Sequence, residues 1–256
     1  MIHPTAIVSP DAALGHGVEV GAYCVIGEGV EIGDGTRISH HVVIEGPTRI
    51  GMQNSIHSFC SLGGPPQDKK YSGEPTSLII GNGNTIREFC TFNRGTVQDT
   101  GETRVGDDNW IMAYVHLAHD CQVGNNTIFA NNAQLAGHVK VDDYAILGGF
   151  TVVHQFVHIG AHAISAMGTI LLQDLPPYVT AAGNSARPFG INSEGLKRRG
   201  FSTNSIAAIK AAYKSLYKSG LQLQEARDKI NAQIAMHPEL AVLSDFLGSS
   251  SRGIIR

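Results

Sequence analysis

Cysteine is scarce in this chain: the four in 256 residues share no metal-ligand spacing. Aromatic residues make up 7% and charged residues 16%, and Lys+Arg (19) nearly balance Asp+Glu (22), so bulk charge points to no nucleic-acid partner. No apolar run approaches the length of a membrane span, and the opening MIHPTAIVSP lacks the basic and apolar regions of a signal peptide. These absences predict a cytoplasmic chain without an integral membrane segment. The length suits one large domain or one with a small appendage. Glycine, at 30 residues, fits tight coils better than a helix-rich globule.

What is present is a beat of six. An aliphatic or aromatic residue returns at Leu117, Val123, Phe129, Leu135, Val141, Leu147, Val153 and Ile159, and the same rhythm runs from Ile2 through Val8 and Leu14 to Leu62. Glycine often follows it, as in Ile26-Gly27 and Ile159-Gly160, and a small residue tends to stand four places on, such as Thr36, Ala133 and Thr151. Neither a 3.6-residue helix nor a simple alternating strand produces this pattern; it is the hexapeptide signature of a parallel β-helix, three hexapeptides to a coil of 18 residues. One coil cannot bury its apolar corner alone, so stacking supplies the core. Cys24, Cys60, Cys90 and Cys121 each occupy the small inward position and read as reduced core thiols.

Two stretches break the beat. Residues near 63–78 (GGPPQDKKYSGEPTS and the residue that follows) are polar and Pro-rich and read as a loop thrown out from the prism, after which Ile80 resumes in phase. A second excursion near 97–104 shifts the phase by one before Val105 restarts it. After Pro176-Pro177 the pattern stops. Ser202 is placed to cap a helix carrying Ile206, Ile209, Tyr213 and Leu216, with Gly220 as its stop; further helices are expected over Leu223 to Met236 and from Pro238. The expected architecture is mainly β: a β-helix of about ten coils over 1–190, then a C-terminal α-helical domain over 191–256.

Coil arithmetic places distant histidines together. Leu117, Leu135 and Val153 are spaced by 18 and should stack at one corner. His119, His138 and His154 follow them by two, three and one residues, which sets all three along one side within roughly 10 Å, and His116 just precedes the same corner. Such convergence of titratable groups is what a catalytic site needs. Asp120 beside His119 would hold one tautomer and raise its basicity, by contact around a turn or across a subunit boundary, because adjacent strand residues face opposite ways. Two chemistries fit: general-base activation for acyl transfer, or a zinc site of three histidines. His154, His158 and His162 have metal-like spacing only if read as a helix; on coils they fall on different sides.

The segments VHLAHDCQVGNN (115–126), LAGHVKVDDYAILGG (135–149), VVHQFVHIGAH (152–162), EGLKRRGF (194–201), QDKKYSGEP (67–75) and NRGTVQ (93–98) closely resemble the UDP-N-acetylglucosamine acyltransferases of lipid A biosynthesis, along essentially the whole chain. The resemblance implies a left-handed parallel β-helix, a sense the usual right-handed crossover preference would not predict. It also implies a homotrimer with active sites between subunits. The reaction it implies moves a 3-hydroxyacyl group from acyl carrier protein to the 3-hydroxyl of UDP-N-acetylglucosamine (UDP-GlcNAc), with no metal and no cofactor beyond the carrier's phosphopantetheine. By position, His119 would be the general base, oriented by Asp120, and the Gly137 N–H would receive the oxyanion. His116 and His138 would bind the sugar and phosphopantetheine side, Asp68 the glucosamine, and His154 and Gln155 the nucleotide and acyl cleft. Asn192, Glu194, Arg198 and Arg199 would form the nucleotide edge, arginine suiting a pyrophosphate through its paired donors. A basic rim there would also suit the acidic carrier protein.

Two departures stand out. Asn93 occupies a place where relatives often carry His, and Met167 stands where some have Gly at the end of the acyl groove. Met167 would shorten that groove and favour a chain near ten carbons. Three other readings compete: a later-pathway UDP-3-O-acyl-glucosamine N-acyltransferase, which usually carries an extra N-terminal domain, whereas coils here begin at Ile2; a carbonic-anhydrase-like zinc enzyme; and a non-enzymatic solenoid, which would need neither the excursions nor the histidines.

Overall fold

The computed structural model describes all residues, Met1–Arg256. Strands of mostly two residues, one per hexapeptide, stack into three parallel sheets. Most two-residue strands leave their first residue exposed or half-buried and bury their second, so the six-residue beat becomes an inward column. Leu117, Leu135 and Val153 stand in direct register, as their spacing requires, with Phe92 and Leu171 beyond them. Ile2 bridges onto Val20 beneath a face carrying nine parallel strands, Glu19–Val20 to Val179–Ala182, which accounts for the ten coils expected.

Each corner is turned by a residue in the left-handed region. Asp120, His138 and Phe156 hold φ of 61°, 62° and 64° on three successive coils of one corner, and Tyr144, His162 and Tyr178 do the same at another. A non-glycine residue there costs roughly 1–2 kcal/mol and persists because the coils above and below leave the turn no other shape. The conformation brings neighbouring corner side chains to the same side, which no strand would do.

The two excursions leave from the same corner on consecutive coils, after the strands Ser61–Gly64 and Thr91–Asn93. The first returns with Ile80 registered on Ile50; the second returns with Val105 on Ile80. Asn93 explains itself here: its Nδ2 donates to Pro65 O at 3.0 Å and pins the base of the first excursion. Arg94 completes the anchor, donating to Gly46 O at 2.7 Å and Gly63 O at 2.8 Å. All four cysteines are free and buried, and burial pushes the Cys121 thiol up to about 12.

Beyond the antiparallel strand Arg187–Ile191 lie four helices: α1 Ser193–Arg198, α2 Thr203–Tyr217, α3 Leu223–Asn231 and α4 Leu240–Ser249. Ser202 caps α2 by accepting from Ser205 N at 3.0 Å, and Gly220 sits at φ 66° after it. α3 ends five residues short of the expected Met236, which is 73% exposed; residues 232–236 continue as turns, through which Ile234 still packs against the helical cluster. The helices enclose their own apolar cluster, with Leu196, Ile209, Leu216, Ile230, Leu243 and Phe246 around Tyr178 of the last corner. No helix is long and apolar enough to cross a membrane.

Candidate active site

The corner from which both excursions depart continues on the next three coils as His119-Asp120, Gly137-His138 and Gln155-Phe156. Excursions and corner together enclose a cleft of about 820 Å³. Gln67, Asp68 and Lys70 line it from the first excursion, and Gln98 and Asp99 from the second. His116, His119, Gly137, His138, Gln155 and Phe156 line it from the prism.

His119 and Asp120 meet around the turn within one chain: Nδ1 lies 2.8 Å from Asp120 Oδ2. The left-handed φ of Asp120 makes the contact, so no subunit boundary is needed for it. The carboxylate side chain is fully buried, and Thr96 donates to it twice at 2.7 Å, from N–H and from Oγ1. Burial works to raise this carboxyl, but the hydrogen bonds from His119 and Thr96 and the nearby His138 outweigh it, and its pKa lies below the ordinary value. An ionised carboxylate can only accept, so His119 Nδ1 carries the proton, and in the neutral imidazole Nε2 is the nitrogen that keeps its lone pair. That nitrogen has no protein partner.

Gly137 faces the same ring. A Cβ there would lie 2.5 Å from His119 Cε1 and 2.8 Å from Nε2, so only glycine admits the imidazole in this position. The Gly137 N–H donates to no group of the chain. His138 presents its edge to His119, ring centroids 5.0 Å apart at 88°, and stacks on Phe156 at 4.4 Å. His116 pairs with Thr91 Oγ1 at 2.8 Å, and burial lowers its pKa below the ordinary value. Ligand atoms of His119, Asp120 and His138 lie within 4.8 Å of one another, a donor set capable of holding a metal ion.

The remaining candidates are not among the residues that line this cleft. His154 stands on the same corner, one residue before Gln155 and at the place Ala118 and Ala136 take on the two preceding coils; it is exposed and turns its Nδ1 to Gln155 O at 3.1 Å. Met167 is 78% exposed at a different corner. Asn192, Glu194, Arg198 and Arg199 belong to α1 and its caps, beside the third corner. Asn192 caps α1 and ties it to His162 O at 3.0 Å; Glu194 pairs with Lys197 at 2.7 Å; Arg198 is exposed; Arg199 lies 5.0 Å over the Tyr144 ring. Burial, then the nearby Arg199, pushes His162 down to about 4, against the pull of Asp143.

Sequence reasoning missed Thr96, Asp99, Gln67, Lys70, Gln98 and Phe156. The signal was available: both excursions break the repeat, and a break at one corner on consecutive coils walls the coils that follow.

A bacterial transferase hexapeptide family matches residues 102–137, and a family described as UDP N-acetylglucosamine O-acyltransferase, domain 2, matches residues 174–255. Together with the cleft these matches define a hexapeptide-repeat acyltransferase. The acyl-[acyl-carrier-protein]–UDP-N-acetylglucosamine O-acyltransferase of Thiobacillus denitrificans is 59% identical over all of this chain and 99% of its own length. That of a Janthinobacterium species is 60% identical over the same shares. The solved UDP-N-acetylglucosamine acyltransferase of Francisella novicida superposes with a TM-score of 0.98 at 41% identity, over 100% of this chain and 94% of that one. The Moraxella catarrhalis enzyme gives 0.98 at 42%, over 100% and 99%. The chain belongs to the UDP-N-acetylglucosamine O-acyltransferase family.

Proposed function

We propose that His119 is the general base of the acyl transfer this chain catalyses, from acyl carrier protein to UDP-N-acetylglucosamine in the first step of lipid A biosynthesis. His119 Nε2 takes the proton from the sugar 3-hydroxyl as the oxygen attacks the thioester carbonyl carbon. The oxyanion of the tetrahedral intermediate accepts from the Gly137 N–H. The C–S bond then breaks, and the leaving thiolate receives the proton from His119, giving the 3-O-ester and the free thiol of the carrier. The observation that carries this reading is the buried carboxylate of Asp120 on His119 Nδ1, which leaves a lone pair in the cleft beside an N–H with no acceptor.

Asp68, His116, His138 and Gln155 are read as substrate contacts within this cleft. His154, beside Gln155 on the same corner, is read as lining the nucleotide and acyl side. Met167, Asn192, Glu194, Arg198 and Arg199 reach the cleft in this reading only from a neighbouring copy, which is the reason to propose a homotrimer with sites between subunits. The exposed Met167, brought to the cleft in that way, would end the acyl groove and favour a medium-length 3-hydroxyacyl chain. The enzyme is read as cytoplasmic, using no cofactor beyond the carrier's phosphopantetheine.

The test is an acyl-transfer assay with UDP-N-acetylglucosamine and carrier proteins loaded with 3-hydroxyacyl chains of different length. His119→Ala should lower kcat by about 10²–10⁴-fold, the usual worth of a positioned base; near-normal turnover removes the base. A preference for chains well beyond ten carbons would sink the part given to Met167. The spacing of His119, Asp120 and His138 favours one second reading, a zinc-centred reaction, and stoichiometric zinc in active protein would displace the first.

A further inference from the structure

The second excursion brings a carboxylate to the cleft that the acyl-transfer reading leaves without a role. Asp99 Oδ2 lies 2.8 Å from His138 Nδ1, across 39 residues of sequence. The carboxylate accepts, so Nδ1 carries the proton and His138 Nε2 is the nitrogen without a protein partner. The His138 side chain is 13% exposed, with Phe156 stacked on one side and the edge of His119 against it. Asp120 Oδ2 stands 3.7 Å from the same Nδ1, beyond hydrogen-bonding range. Without Asp99 the ring has no close acceptor to choose its tautomer.

The arrangement repeats the His119–Asp120 pair one coil further on, and one segment serves both. Thr96 holds Asp120 through its N–H and Oγ1, while the Asp99 N–H returns to Thr96 O at 3.3 Å. The phase-shifting excursion is thus a single brace with a contact to each histidine's carboxylate.

We propose that Asp99 is a positioning residue for His138, fixing its ring with Nδ1 protonated and Nε2 turned to the substrate as an acceptor for a hydroxyl or amide N–H. The proposal rests on the acyl-transfer reading and deepens it. Asp99→Ala should lower kcat/KM about tenfold, and in a His138→Gln background the same change should add no more than about twofold. Asp99→Asn, whose amide oxygen still accepts from Nδ1–H, should keep most of the parent's efficiency. Nitrogen NMR of His138 supplies a readout independent of turnover. Parent and Asp99→Asn should show the Nδ1–H tautomer alone, and Asp99→Ala a mixture. An unchanged tautomer in Asp99→Ala, or an equal loss of efficiency with and without His138, overturns the proposal. A parent that transfers no acyl group would instead remove the acyl-transfer reading, with the tautomer result still deciding whether Asp99 sets the ring.

Discussion

At the scale of single residues the site depends on one hydrogen atom. The Gly137 Cα faces the His119 imidazole so closely that a methyl group would stand 2.5 Å from Cε1, well inside van der Waals contact. The ring would have to rotate away from Asp120, or the turn would have to open. Gly137 is not among the left-handed residues, so the backbone itself accepts alanine, and the damage should be confined to the ring. Gly137→Ala is therefore expected to lower kcat about a hundredfold, the consequence of misplacing a reacting group by about 1 Å, with its urea midpoint near the parent's. Turnover within threefold of the parent would show that the imidazole position is not critical.

At the scale of the element, the prism is held by polar columns as well as apolar ones. Asn54, Asn84 and Asn109 occupy the small inward position on successive coils and are buried. Asn54 Oδ1 accepts from Asn84 N at 2.9 Å, Asn84 Oδ1 from Asn109 N at 2.9 Å, and Asn109 Oδ1 from Thr127 N at 2.8 Å. Each amide also donates to the carbonyl of a turn glycine, as Asn84 does to Gly106 O at 2.9 Å. Asn84→Ala leaves the Asn109 N–H unpaired in the interior and takes the side-chain donor from the half-buried Gly106 carbonyl. It should cost about 2–4 kcal/mol in urea unfolding, since each buried unsatisfied group costs about 1–3 kcal/mol. A loss below about 0.5 kcal/mol would mean that water enters the column.

The coils themselves were legible in the sequence because a period is a geometric statement: residues 18 apart must stack, and Leu117, Leu135 and Val153 do. The limits appear where the period is silent. It does not say that corner residues adopt a left-handed φ, so the His119–Asp120 contact stayed open between a turn and a subunit boundary. Asp99 and Thr96 escaped because an irregular excursion has no repeat from which to place its side chains. Helix α1 escaped because six residues are too few to show helical periodicity.

At the scale of the molecule, the helices and the last coils are joined through a stack of rings. His162 lies between Tyr144 at 4.8 Å and Tyr178 at 5.7 Å, with Phe201 edge-on at 5.2 Å. Tyr178 reaches on to Glu239 O at 2.8 Å, and Asn192 ties α1 to the His162 carbonyl. The imidazole Nδ1 is buried with no partner. Burial and the neighbouring Arg199 hold this ring neutral down to about pH 4, whereas in the unfolded chain it titrates near its ordinary value of about 6.5. Between those two values the unfolded state binds a proton that the folded state refuses, so stability contributed at this joint is lost as pH falls from about 6.5 toward 4 and is constant above. His162→Phe keeps a flat ring in the stack and removes the titration. Urea unfolding at pH 7 and pH 5 should show a smaller drop for the variant than for the parent, and equal drops in the two proteins would mean that the joint does not titrate.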